Sequence, residues 1–183
     1  MRLLAALVAV IGVLGGVMVW NVSSRFQSSG SEVSAAVPDT SASERLQQLE
    51  DEREIRGLLL AYGRHLDDRD FAAYSRLFAR DGEWVGGFGS VAGPADIQAF
   101  MEENMGTGPN TAGNYHLMSN FVIDVDGDNA TAWSRWAFVV PGERGAAISQ
   151  AGRYDDTLVR EDGRWRFQRR VASNDTGPPA PRN

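Results

Sequence analysis

From Tyr115 onward the sequence changes period. Four stretches, Tyr115 to Val125, Ala130 to Val140, Ala147 to Arg160 and Arg164 to Ser173, read as strands separated by Asp126-Gly127-Asp128, Pro141-Gly142 and Asp162-Gly163. Turn chemistry of that kind joins neighbouring strands as hairpins, so this half of the chain is predicted to be an antiparallel meander. Upstream the spacing is helical. Glu44 to Leu66 is rich in helix formers and sets Ile55, Leu59, Tyr62 and Leu66 on one face. Asp67, Asp68 and Asp70 end that helix and cap a shorter one, Phe71 to Phe78, striped by Phe71, Tyr74, Leu77 and Phe78. Glu83 to Val85 reads as a short strand, the glycines at 86, 87, 89 and 93 as a loop, and Pro94 opens a third helix to Met105. Helices followed by hairpins predict an α+β domain with an antiparallel sheet.

The domain expected from these elements runs over residues 44–174, within the common size for one domain. Before it, Leu3 to Trp20 is an unbroken apolar and glycine run preceded by Arg2. Its length falls between a signal-peptide core and a spanning helix, so residues 1–20 read as a signal peptide or a membrane anchor. In either case the charge of Arg2 predicts that the domain is exported: membrane-anchored by this one helix, or secreted or periplasmic after cleavage. Residues 21–43 have the composition of a flexible linker, and 175–183, DTGPPAPRN, that of a disordered tail.

Composition removes several chemistries. The chain has no cysteine, and all 18 of its basic residues are arginine, so thiolate nucleophiles, cysteine metal sites and lysine Schiff bases are excluded. With only His65 and His116 for imidazole, no metal site is expected. A formal charge of -6 argues against nucleic acid as a partner and leaves small, weakly polar molecules.

Several motifs together carry a family resemblance. They are Tyr62-x4-Asp67, Asp70-Phe71-x5-Leu77-Phe78-x2-Asp81, Gly93-x3-Ile97-x2-Phe100, Tyr115-His116 with Asn120, Asp126-Gly127-Asp128-x-Ala130, and Asp162-Gly163-Arg164-Trp165-x-Phe167. In this order they resemble the SnoaL-like families of the nuclear transport factor 2-like superfamily, over about Glu44 to Asn174. The resemblance implies a cone: a curved antiparallel sheet packed on three N-terminal helices, with a pocket between the first helix and the concave face. In the dehydratase and dehydrochlorinase branch an Asp ending the first helix pairs with a His early on a central strand, and Asp67 and His116 match those places. The dehydratase's second His has no match between Ala130 and Val140, and its Ser and Asn correspond to Gly152 and Tyr154. Tyr62 matches the oxyanion tyrosine of ketosteroid isomerases, whose general-base Asp would fall near Gly86. Sheet-mediated dimers are frequent in the superfamily, so the resemblance also implies a homodimer.

A carboxylate-held imidazole is a competent general base near neutrality. The expected chemistry is therefore an elimination needing no metal or cofactor: His116 removes a proton from carbon, and Asp67 orients it. Tyr62, Asn120, Gln150 and Tyr154 are the expected hydrogen-bonding residues, and Trp84, Phe88, Met118 and Trp133 the apolar walls. A non-catalytic ligand-binding or assembly domain of the same fold is the alternative. His65 is expected to face solvent. Asp124-x-Asp126-x-Asp128 lacks the Gly and Glu of a calcium loop, having Asn129 and Arg135 there. Gly86-Gly87-Phe88-Gly89 lacks the strand-to-helix setting of a nucleotide fingerprint. Arg164, Arg166, Arg169 and Arg170 read as the solvated face of the last strand, and Asn21, Asn129 and Asn174 open glycosylation sequons.

Overall fold

The computed structural model of the chain describes residues 41–177. Helix α1, Ala42–Asp68, begins with a capping box: the Glu44 N–H donates to Ser41 Oγ at 3.3 Å and the Ser41 N–H to Glu44 Oε2 at 2.8 Å. It stops where Arg69 turns left-handed at φ 57°. Ile55, Leu59, Tyr62 and Leu66 lie buried on one face, as their spacing predicts. Helix α2 is Phe71–Ser75, capped by Asp70 Oδ1, which accepts the Ala73 N–H at 2.9 Å.

That helix is shorter than expected, because Leu77 and Phe78 leave it for the sheet. The Leu77 carbonyl accepts the Phe167 N–H at 2.9 Å, and the Phe78 ring packs 5.3 Å from that of Phe167. Strand β1 is therefore Phe78–Gly86, longer than the Glu83 to Val85 segment. The glycine loop is a hairpin, turning through Gly87-Phe88 into β2, Gly89–Ala92. Helix α3, Pro94–Met105, carries proline in its first turn. The strands β3, Tyr115–Asp126, β4, Asn129–Gly142, β5, Gly145–Glu161, and β6, Arg164–Asn174, follow as a meander.

These strands form a single sheet in the order β2-β1-β6-β5-β4-β3. It is mixed rather than wholly antiparallel: β1 runs parallel to β6 because it arrives from the helical layer instead of from a hairpin turn. α1 lies against the sheet, fixed near its middle by Trp165, whose Nε1 donates to Asp51 Oδ1 at 3.2 Å and whose backbone N–H donates to Glu54 Oε1 at 3.0 Å. The core between them holds Ile55, Leu59, Leu158, Trp165 and Phe167. Each such side chain contributes roughly 1.5–3 kcal/mol on burial.

Two of the four register shifts in the sheet set which residues of β3 and β6 face that core. In β3 the register against β4 shifts between Ser119 and Val122, with Asn120 left-handed at φ 54°. His116 and Met118 point inward before the bulge, and Phe121, Ile123 and Val125 after it. In β6 the register shifts where Thr157 pairs with Arg169 but Leu158 with Phe167, leaving Gln168 as the extra residue. Inward positions thus change from Trp165 and Phe167 to Arg170 and Ala172. The solvated arginine face expected on this strand is corrected accordingly: Arg170 is fully buried.

At the far end the tail begins ordered. Asp175 is held by Arg135 and Arg153, each at 2.5 Å, and its N–H donates to the Ala151 carbonyl at 2.9 Å. Among the described residues no helix is long and apolar enough to cross a membrane; Leu3 to Trp20 and most of the linker lie outside them.

Candidate active site

Helix α1 ends beside the start of β3, and this brings Asp67 to His116. Asp67 Oδ1 lies 2.6 Å from His116 Nδ1, while Asp67 Oδ2 accepts the His116 backbone N–H at 2.8 Å. The carboxylate assigns the tautomer, with Nδ1 carrying hydrogen and Nε2 left as the acceptor. The side chains are 13% and 18% exposed, so water screens the contact only partly.

His116 lines a cavity of about 410 Å³ between α1, α3 and the concave sheet face. Its walls are aromatic and thioether: Trp84, Phe88, Met101, Met105, Trp136 and Phe138. The polar groups reaching it are His116, Gln150, Asn174 and the tyrosines 62, 74 and 154. Asp67 is absent from this lining and opens instead on a separate outer groove with Asp68, Asn110 and Tyr115.

The tyrosine end is held by polar contacts beneath it. Trp84 Nε1 donates to Tyr62 Oη at 3.0 Å. Below the rings Arg170 makes a bidentate pair with Asp156, Nε to Oδ1 at 2.8 Å and Nη2 to Oδ2 at 2.7 Å. Burial pushes the Tyr62 hydroxyl upward and those of Tyr74 and Tyr154 well above the usual phenol range, while Arg170 pulls each back in part. All three remain neutral hydroxyls across ordinary pH. Burial also raises the Asp156 carboxyl, against the opposing pull of Arg170.

Of the residues singled out in the sequence, Tyr62, Trp84, Phe88, His116, Gln150 and Tyr154 meet at the cavity. Asn120, Met118 and Trp133 do not. The β3 bulge turns Asn120 to the solvent side. Met118 points inward but wedges against α1, where a Cβ on Gly63 would stand 3.3 Å from its Cγ. Trp133 alternates with the buried Ala132 and Ser134 and so lies on the outer face, with the Arg135 guanidinium 5.3 Å from its ring centroid.

Trp136 and Phe138, missed in the sequence, continue the inward alternation of Ala130, Ala132 and Ser134 along β4, on the face opposite Trp133, and the β3 bulge sets their partners. Extending the Asp126 to Asn129 pairing without it would set Val139 opposite His116; the observed partner is Phe138. Gly152, at the place of the dehydratase's Ser, has no space for a side chain. A Cβ there would collide with the Ser173 carbonyl and stand 2.8 Å from the Trp136 ring. Among the described residues no three His, Asp or Glu side chains converge as a metal site.

Fold and cavity define a class: a cone of helices and bulged sheet enclosing an aromatic hollow with an imidazole in its wall. The SnoaL-like domain profile matches residues 47–171, and the chain belongs to that family. It is 32% identical over 130 residues to an uncharacterized protein of Mycobacterium tuberculosis, covering 68% of this chain and 85% of that one. Among solved structures it is similar to an NTF2-like protein with a cystatin-like fold from Novosphingobium aromaticivorans, at TM-score 0.67 and 28% identity over 75% of this chain and 92% of that one. A candidate scytalone dehydratase from the same organism is similar at TM-score 0.59 and 27% identity, covering 72% of this chain and 89% of the other.

Proposed function

We propose that this domain is a cofactor-independent lyase that eliminates water, or a comparable leaving group, from a small apolar molecule. The observation that carries the reading is the His116 ring, paired to Asp67 at 2.6 Å and lining a hollow of about 410 Å³. The Nε2 lone pair takes a proton from carbon beside a carbonyl, and the C–H electrons move into an enolate. Collapse of the enolate forms the C=C bond and expels hydroxide from the neighbouring carbon. The imidazolium returns its proton to that oxygen, which leaves as water, and Asp67 stabilises the transient charge. The likeness to a candidate scytalone dehydratase supports this class of reaction.

The test is turnover of a panel of cyclic β-hydroxyketones small enough for the cavity, followed by the absorbance of the conjugated product. Turnover by the unaltered protein, reduced a hundredfold or so in His116→Ala, supports the reading. Equal turnover in that variant, or none with any panel member, opposes it.

A second reading, a non-catalytic ligand-binding domain, is favoured by one observation. The cavity side of His116 is met by the rings of Phe138 at 4.9 Å and Trp136 at 6.1 Å, with no second imidazole or carboxylic acid on that wall among the described residues. Ligand retention without turnover distinguishes it.

Two expectations extend the proposal. The apolar run Leu3 to Trp20 supports export of the domain, tethered or cleaved. Exposed Tyr115, Leu117, Val122 and Ile148 on the outer sheet face support a homodimer, and Leu117→Glu would shift its sedimentation to the monomer.

A further inference from the structure

Arg170 is sealed completely inside the fold, and the elimination described above leaves it unused. Burying a guanidinium is costly even when it is paired, and a Leu or Met would fill the same volume without that cost. What distinguishes arginine at this position is its charge, and the surroundings direct that charge. Asp156 takes Nε and Nη2, leaving Nη1 at the opposite tip without a hydrogen-bond partner among the described residues. The guanidinium carbon lies 3.9 Å from the Tyr62 ring centroid, 4.1 Å from that of Tyr154 and 4.2 Å from that of Phe167.

Tyr62 and Tyr154 both line the cavity. The Tyr62 oxygen already receives the Trp84 N–H, so its own hydrogen is free to be donated, and an accepted bond strengthens a donated one. A cation against the face of a phenol favours negative charge on that phenol and makes its O–H a stronger donor. Arg170 acts on two such rings at once.

We propose that Arg170 is a positioning residue that polarises the neutral Tyr62 and Tyr154 hydroxyls into stronger donors, so that this end of the cavity holds an oxyanion while His116 faces the adjoining carbon. Asp156 fixes the guanidinium in place and tempers its field. This rests on the acid/base reading, since proton removal from carbon puts charge on a carbonyl oxygen that needs donors ready for it. The ligand class so defined is a small apolar molecule with an acidic enol or phenol oxygen.

Equilibrium binding of 2-naphthol and ring-substituted naphthols of rising acidity, with naphthalene as the oxygen-free control, tests the assignment without turnover. In the unaltered protein affinity is expected to climb along the acidity series. Arg170→Met should weaken the most acidic naphthol by about tenfold and flatten the series, with naphthalene binding retained. Arg170→Lys, which keeps the charge, should restore part of the slope. Asp156→Asn carries the opposite sign, since loss of the countercharge should strengthen the acidic naphthols. A purely structural role would weaken all probes alike in every variant, and that result overturns the proposal. So does a flat series in the unaltered protein, which requires no variant to fold. Because no proton is taken from carbon in this binding series, it is read independently of turnover, and the failure of the acid/base reading remains distinguishable from the failure of this assignment.

Discussion

A single carboxylate grips His116 at two points: Asp67 Oδ1 meets the ring at Nδ1, 2.6 Å away, and Oδ2 accepts the backbone N–H of the same residue at 2.8 Å. The ring's azimuth and the strand's position are thereby fixed together. Asp67→Asn keeps the shape, but its amide can offer hydrogens where the imidazole and the backbone both need an acceptor. Turnover in this variant should fall by about a hundredfold, with ligand affinity changed far less. Steady-state kinetics beside direct binding would separate the two effects, and equal losses in both would argue for simple misfolding of the site.

The Asn120 bulge is the device that turns His116 inward, and its left-handed backbone at φ 54° is tolerated by Asn and easily by Gly. Asn120→Val should cost about 1–2 kcal/mol, while Asn120→Gly should be close to neutral. Thermal unfolding of both variants checks this. A valine variant as stable as the parent would mean the strand can re-register without the bulge.

Gly152 marks where a close approach replaces a side chain. Gly152→Ala forces Trp136 and the Ser173 carbonyl apart, and should destabilise by about 1–3 kcal/mol and narrow the cavity at Trp136. Urea unfolding with naphthalene affinity as a second readout would register both. An unchanged midpoint would show that β5 and β6 can part there at no cost.

Acid sensitivity should trace to Asp51. Burial raises its carboxyl, but hydrogen bonds from Arg160, Trp165 and Gln47 outweigh that and hold it below the usual range. A lowered native value adds stability that is complete above the unfolded carboxylate range, about pH 4, and is lost as pH falls through the native value. Asp51→Asn should therefore be less stable than the parent at neutral pH, by about 1.5–3 kcal/mol, and less dependent on pH below about 4. Denaturant melts at pH 6, 4 and 2.5 would show the two stability curves converging toward acid; parallel curves would remove Asp51 from the account.

The order of helices and hairpins was legible because it rests on local signals: the Ile55 to Leu66 stripe, the Asp-Gly turns and Pro94. The Asp67 and His116 positions were legible through family resemblance, and their contact depends on where α1 stops. What escaped was set by bulges, which period-two counting cannot see. Gln168 reversed the expectation for Arg170, and Asn120 exchanged the neighbours of His116. The parallel pairing of β1 with β6 was hidden for another reason: it matches Phe78 to Phe167 and Glu83 to Arg169, residues more than 80 positions apart in the chain, and no local pattern encodes such a match.

Asp67 looks out on the groove beside Asp68 and Asn110, while its partner His116 looks into the hollow. The two residues therefore make up the thickness of the wall at that point. A cation gathering in the outer groove would act on the imidazole through one carboxylate, without touching whatever occupies the interior. For the proposed elimination, ionic strength would thus act from outside the wall, through Asp67, on a base that faces the interior.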